Sequence, residues 1–516
     1  MATSFAKKLA KKWQPYLNIT PSAVLVLLWN CLMYSYHVLG SCFTAEFATE
    51  VAPATWYRYG FVIIFSFGYS LFLLFGLLAD VWIGRYKAIL IGIVLCFISW
   101  IIIGIGFIVE KYFASKSVLW TFFTLAYITF FCGHSSFTAN IIQYNIDQLV
   151  GASVDKLNSV IYWHILSEPL VLFLFYLLQC LFYNKYFIMI TFIASGVSVS
   201  LVLVSHSFFK HKLENISQIK NPIKLIVRVL CYARKHKYPQ NRSALTYWEE
   251  EAPSRLDLGK NKYGGLFTEE EVEDVKTVFC MLPLFIGFAI VRLSNNSYWS
   301  AVKSFTIPTC LAVTDIQFFI CSVILMLVYL FFIRVCFYKY IPSMLTRMSV
   351  GIFLAFVVTV SEVIIFVIER PHLGKNNFDK PLFIPQTIQG FSFILLHPVS
   401  LEFTVAQSPV HMRGVMVGLW YATSYGLSCL INIIAKFPFE CESQYICTSF
   451  YYYITKSVLV LIILIVFVIL AKRYKYRVRE NEVNIVQIVD DHYQRYMEQE
   501  EQYNKNKTND IHYAIH

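Results

Sequence analysis

An all-α polytopic membrane protein is the fold class this sequence predicts, and three observations carry the prediction. Of its 516 residues, 57% are hydrophobic and only 15% are charged, well outside the composition of soluble domains. The apolar residues gather into runs long enough to cross a bilayer at about 20 residues each. The basic residues, behind a net charge of +11, collect on alternate loops. That last pattern argues against a nucleic-acid binder of the same charge, which would carry one basic face or tail.

Twelve runs qualify: 22–43, 59–78, 88–109, 119–142, 160–182, 187–208, 278–297, 308–333, 350–368, 382–405, 415–434 and 452–470. Hydrocarbon offers no water to a backbone N–H or C=O, so each run is expected to be a helix. Six spans, a polar stretch and six more spans predict two six-helix bundles. The expected divisions are an N-terminal segment 1–21, a first bundle 22–209, a linker 210–277, a second bundle 278–472 and a tail 473–516. Lysines and arginines concentrate on the side that carries both termini, which the positive-inside rule makes cytoplasmic.

Taken in order, the elements carry these features. Residues 5–13, with Lys7, Lys8, Lys11 and Lys12, are expected to form a short basic helix on the inner leaflet, not a cleavable signal peptide. The first span holds the run Tyr34-Ser35-Tyr36-His37. Between the second and third spans lies Gly-Leu-Leu-Ala-Asp-Val-Trp-Ile-Gly-Arg-Tyr-Lys-Ala-Ile (76–89). This hairpin puts Asp80 at a helix C-terminus, where the macrodipole disfavours an acid unless Arg85 or Lys87 answers it. Such an arrangement suggests a contact that is made and broken.

The fourth span carries His134, and the fifth carries His164, Glu168 and Pro169. His164 and Glu168 share a helix face and could hold a proton or a hydrogen bond between them, and a satisfied structural pair is the other reading. In the polar stretch, Glu269-Glu270-Glu271-Val272-Glu273-Asp274 is most simply the acidic first turn of the seventh helix. Arg292, late in the seventh span, either attracts a carboxylate or snorkels to the interface. Glu362 in the ninth span is read as a structural contact or a group protonated in place, and His397 in the tenth completes the intramembrane ionisable set. Pro169, Pro283 and Pro398 can bend their helices. Thirteen cysteines are scattered, and only Cys441 and Cys447 share a loop, as a disulfide or as two free thiols. The tail is polar, mixed in charge, and flexible or loosely helical by composition.

Ala79-Asp80-x-Trp82-x-Gly84-Arg85-Tyr86-Lys87-x-Ile89 resembles the helix-two to helix-three signature of the proton-dependent oligopeptide transporters, a branch of the major facilitator superfamily. Other segments agree in order: Asn140-Ile141 with Asp147-Gln148, Ile161-Tyr162-Trp163-His164-Ile165, Leu282-Pro283 with Asn295-Asn296-Ser297-x-Trp299, and Leu401-Glu402-Phe403-x-x-Ala406-Gln407-Ser408-Pro409-x-x-Met412-Arg413 with Leu419-Trp420. The resemblance covers the whole membrane part and implies the major facilitator fold, with a cavity between two six-helix bundles. It also implies an inner gate of Asp80, Gly84 and Arg85, and cavity tyrosines at Tyr36 and Tyr69.

The departures bear on cargo. Where the family carries Glu-x-x-Glu-Arg on helix one, this chain has Trp29, Leu32 and Met33. Thr138 stands at the helix-four lysine, Phe393 at the helix-ten glutamate, and Leu166 and Glu168 at the helix-five asparagine and glycine. In the family those charges clamp peptide termini and carry the proton. A desolvated peptide terminus without an opposite charge is costly, so ordinary zwitterionic dipeptides are poorly served.

The expectation is a transporter or symporter of a small organic solute, di- or tripeptide-like, working by alternating access. Its cavity candidates are Tyr36, Tyr69, His164, Arg292 and Trp420, and its proton-carrier candidates are His164, Glu168 and Glu362. The alternative is a non-transporting ligand sensor or membrane scaffold of the same ancestry. Expected partners are a small-molecule or peptide-like substrate, protons and lipid, with no nucleic acid. A monomer is expected, in the plasma or an endolysosomal membrane. No enzyme, cofactor or metal site is expected, since no nucleophile triad order, phosphate loop or ligand spacing occurs.

Overall fold

The computed structural model describes residues 19–51, 61–113, 116–149, 154–182, 187–213, 221–236, 254–294, 314–337, 340–369, 379–439 and 450–477. By contacts, the described residues up to Tyr474 form one compact unit, and 475–477 fall in a second. The expected surface helix at 5–13, Cys441 and Cys447, and nearly all of the tail lie outside the described residues.

Six helices make the first half: α1 Pro21–Val51, α2 Phe61–Leu78, α3 Arg85–Phe113, α4 Lys116–Asp147, α5 Val154–Phe182 and α6 Phe187–Phe208. Six more follow: α7 Glu269–Met281 with its continuation, α8 Thr314–Val328, α9 Met344–Glu369, α10 Asp379–Gln407, α11 Arg413–Tyr421 with its continuation, and α12 Phe450–Arg473. Among the described residues ten helices are long and apolar enough to cross a membrane. The two expected spans outside that set are α2, whose described apolar stretch is short, and α7, which is interrupted.

Hydrophobic side chains face outwards at helical spacing: Val94, Ile98, Ile101, Ile105 and Ile108 on α3, Ile190, Ile193, Val197, Leu201 and Val204 on α6, and Val458, Ile462, Ile465 and Ile469 on α12. Leaving each in water would forgo about 1.5–3 kcal/mol of burial, so these stripes mark lipid-facing surface. The other faces pack inwards. In the first half α1 lies against α4, α5 and α6, and α3 against α4 and α6; in the second α9 lies against α10 and α12. The halves meet chiefly through α2 on α11 and α5 on α8.

Several helices change pitch where the sequence or the packing demands it. Pro283 offers no N–H and crowds the preceding turn, and α7 runs on as a 3-10 segment, Leu282–Ala289, before Ile290–Leu293. Wider π turns occur at Ala79–Ile83 after α2, Tyr329–Ile333 after α8 and Ala422–Leu427 within the eleventh span. Such turns re-aim the side chains that follow.

α7 starts at Glu269, ahead of its apolar run, because Thr268 and Glu271 form a reciprocal capping box. In the polar stretch before it, Asn221 caps a separate helix, Pro222–Lys235. Lys260 then gathers Asp257 at 2.8 Å and Glu273 at 2.5 Å, and Lys276 joins both acids. Burial works to raise the Asp257 carboxyl, yet its bonds to Lys260, Lys276 and Ser254 hold it well below the usual carboxylate range. The Lys260 ammonium, despite burial, is raised by Asp257 and Glu273.

Candidate functional site

The hairpin after α2 is built by one glycine. Gly84 has φ 84°, a left-handed value that disfavours a side chain, and its N–H donates to the Ala79 carbonyl over 2.9 Å. The chain thereby reverses into α3 at Arg85 with Asp80 alongside. Arg85 Nη2 and Nε each lie 3.0 Å from Asp80 Oδ1, and Arg85 Nη1 donates to Asp147 Oδ2 at the end of α4 over 2.6 Å. Gln143 donates to the other Asp147 oxygen over 3.1 Å. Asp80 is 2% exposed and Arg85 10%. This is charge compensation in a nearly dry site.

Across from the hairpin stands the start of α11, in the other half. A Cβ on Gly414 would run into the Asp80 carboxylate, and a Cβ on Gly76 would meet the Gly414 carbonyl at 2.9 Å. Glycines are therefore what let α2 and α11 touch here. The acid faces a helix N-terminus, whose unpaired N–H groups favour negative charge.

A second set of contacts joins the halves at the same end, where α4, α8 and α10 finish and α5 and α9 begin. Arg347 of α9 donates to the hydroxyls of Tyr329 at 2.7 Å and Tyr162 of α5 at 3.2 Å, and lies 3.4 Å from Glu402 of α10. Tyr162 donates to Glu402 over 3.0 Å. Arg334 reaches Asp155 at the start of α5 over 3.6 Å. Neither cluster was legible as such in the sequence, although Tyr162 and Glu402 sit inside two of the quoted segments.

Farther along α2 from Asp80, by about 12–16 Å at the helical rise, Phe72 and Tyr69 enter the wall of a cavity of about 290 Å³. Its other walls come from Asn30, Met33, Tyr34 and His37 of α1, from His134 and Thr138 of α4, from His164, Ser167 and Glu168 of α5, and from Tyr421 and Tyr425 of the eleventh span. Tyr69 stacks on Tyr425 at 5.3 Å and Phe72 on Tyr421 at 5.2 Å. The His37 and His134 rings stack at 4.6 Å.

Polar contacts cross the cavity between the halves. His164 Nε2 and the Tyr421 hydroxyl are hydrogen-bonded at 3.1 Å. Tyr425 donates to Glu168 Oε2 over 2.7 Å, and its hydroxyl also pairs with His397 Nε2 at 3.1 Å. His397 Nε2 is itself 3.8 Å from Glu168 Oε2. His164 and Glu168 thus share a face, as their spacing implies, but each reaches a tyrosine of the opposite half.

The remaining expected residues fall elsewhere. Tyr36 turns away from the cavity, 4% exposed, and donates to the Cys96 carbonyl over 2.8 Å. Trp420 is fully buried behind Tyr421, its indole N–H donating to Ser400 over 2.8 Å. Glu362 pairs with Lys456 of α12 at 3.8 Å, each 1% exposed, away from the cavity. The Arg292 side chain lies outside the described residues. Thr138 does line the cavity, and Phe393 stacks on His397 at 5.0 Å. Sequence reasoning passed over His37, Tyr421 and Tyr425; the spacing of four between the two tyrosines was the available signal.

Residues 187–447 match the family model PTR2, described as the POT family. Solved structures with similar folds include an auto-inhibited POT family peptide transporter (15% identity, 89% of this chain and 98% of that chain, TM-score 0.63). Others are the POT family transporter PepTSo (13%, 88% and 98%, TM-score 0.64) and a POT family transporter in complex with 5-aminolevulinic acid (14%, 88% and 96%, TM-score 0.58). The fold they share with this chain is that of the major facilitator superfamily.

Proposed function

The chain belongs to the POT family, and from that premise we propose that it moves a small, peptide-like organic solute across its membrane by alternating access. What carries the reading is one relationship. The same two helices, α2 and α11, close on each other at Asp80 and Gly414 and wall a cavity at Tyr69, Phe72, Tyr421 and Tyr425. A rocking motion that parts them at one end changes access to the cavity without remaking it. Asp80, Gly84 and Arg85 form the gate. The Arg347–Tyr162 and Arg334–Asp155 contacts open with it, since they join the same halves at the same end.

By the positive-inside rule the gate faces the cytoplasm, with both termini on that side, in the plasma or an endolysosomal membrane. Transport is proton-coupled in this reading, and Glu168 and His164 are the carriers because both line the cavity. Protonating Glu168 removes its charge-assisted bond from Tyr425 and so loosens the link between the halves. Glu362 plays no part in this relay, being shut away with Lys456.

The test is uptake into liposomes under an inward proton gradient, using a labelled library of di- and tripeptides followed by single amino-acid derivatives. Saturable uptake is expected for the wild type, with a loss of about tenfold or more for Asp80→Asn. Binding without uptake under any gradient would overturn transport and leave a ligand sensor in its place.

A further inference from the structure

The charge inventory of the cavity wall specifies more than its size. Among the described residues lining it, Glu168 is the one carboxylate, and neither lysine nor arginine is present. The family's clamp for a substrate carboxylate is therefore replaced on this wall by Thr138 on α4 and Met33 on α1. Besides Glu168 the wall's ionisable side chains are His37, His134 and His164 and tyrosines, which are neutral in their ordinary forms, so its one fixed charge is negative.

Glu168 is held in place. Its side chain is 12% exposed, Tyr425 donates to Oε2 over 2.7 Å, and His397 stands behind that same oxygen at 3.8 Å. Around it, Tyr34, Tyr69, Phe72 and Tyr421 line the wall with aromatic rings, whose π clouds attract cations. A free carboxylate entering this space would be desolvated beside Glu168 with no described cation to meet it. A protonated amine would meet both an anion and aromatic rings.

Resting on the transport reading above, we infer that the cavity selects a small monocation, an ammonium group on an apolar or aromatic body, over zwitterions and anions of the same size. A volume of about 290 Å³ is at the small end for ligand sites, which suits a single residue-sized amine better than a tripeptide. Glu168 is the specificity-determining group, and the ring stack of Tyr69 on Tyr425 is the platform beside it.

Three near-isosteric probes decide the matter on the full-length protein in nanodiscs at pH 7.5: phenylalaninol (a cation), phenylalanine (a zwitterion) and 3-phenylpropionate (an anion). Calorimetry is expected to rank them in that order, with phenylalaninol about tenfold or more tighter than the anion. Glu168→Gln should shrink that gap to about threefold or less, and Glu168→Asp should keep it. Equal or tighter binding of the zwitterion or the anion overturns the inference, as does the absence of binding by all three. So does a preference that survives Glu168→Gln. Because the ranking is read on the unaltered protein, it stands even if a variant fails to fold. Uptake of labelled phenylalaninol is measured separately. Tight binding of the cation without uptake sinks the transport reading and leaves the selectivity standing, and gate-dependent uptake that favours the zwitterion does the reverse.

Discussion

Arg85 donates to Asp147 over 2.6 Å while it holds Asp80 at 3.0 Å, so one guanidinium ties the hairpin after α2 to the far end of α4. Both acids are buried, and this guanidinium is the cation they share.

Replacing Arg85 by methionine therefore leaves two buried, uncompensated carboxylates. The expected loss of stability is about 3–5 kcal/mol, read from chemical denaturation of the detergent-purified protein. Arg85→Lys should fall between wild type and Arg85→Met, because an ammonium keeps the charge but cannot present the planar fork. Equal stability of Arg85→Met and wild type would contradict the arrangement.

Gly414→Ala should push α2 and α11 apart, since the added methyl would overlap the Asp80 carboxylate, which Arg85 holds in place. Spin labels at Trp82 and Val410, both exposed positions beside the contact, would report the change. Pulsed dipolar spectroscopy is expected to show the distance distribution moving to longer values in the alanine variant. An unchanged distribution would mean that the close approach is not what holds this end shut.

The Glu362–Lys456 pair predicts a different signature. Lys456→Met strands a buried acid and should cost about 3–5 kcal/mol, whereas Glu362→Gln together with Lys456→Met should recover most of it. Uptake by the double variant is expected to stay within about twofold of wild type, since both side chains are 1% exposed and away from the cavity. Loss of proton-driven uptake in a well-folded double variant would instead make Glu362 a carrier.

The polar cluster ahead of α7 should respond to pH at both extremes. Asp257 titrates lower in the folded state than its unfolded value of about 3.9, so its contribution is present above that pH and fades as the pH falls through the folded value. Lys260 titrates higher than its unfolded value of about 10.4, so its contribution is present below that pH and is lost as the pH rises through the folded one. Amide exchange across 257–267, corrected for intrinsic rates, is expected to show constant protection between these limits. Asp257→Asn should lower protection at neutral pH, and the difference from wild type should narrow in acid.

The hairpin and the spans were legible in the chain because their causes are local. A run of apolar residues in hydrocarbon has to satisfy its own backbone and so becomes a helix whatever its neighbours are. Asp80 and Arg85 meet because Gly84 turns the chain between them. The acidic start of α7 announced itself the same way, through the run Glu269 to Asp274, and the structure adds the capping pair Thr268 and Glu271. These features need only residues a few positions apart.

Which tyrosine faces the cavity was a different kind of question. Tyr36 and Tyr69 are alike in the sequence, yet one bonds the buried Cys96 carbonyl away from the cavity and the other stacks on Tyr425. Hydropathy gives a membrane helix length but little rotational phase, because lipid and protein core are both apolar. Rotation is settled by packing, and so are the partners that follow from it: Tyr425 and His397 for Glu168, Lys456 for Glu362, and Tyr162 for Arg347. The sequence by itself determined a membrane-spanning helical chain and a charged hairpin, since both arise from contacts along the backbone. Only the tertiary structure decided which charges face the cavity, because that depends on how helices far apart in the chain turn against one another.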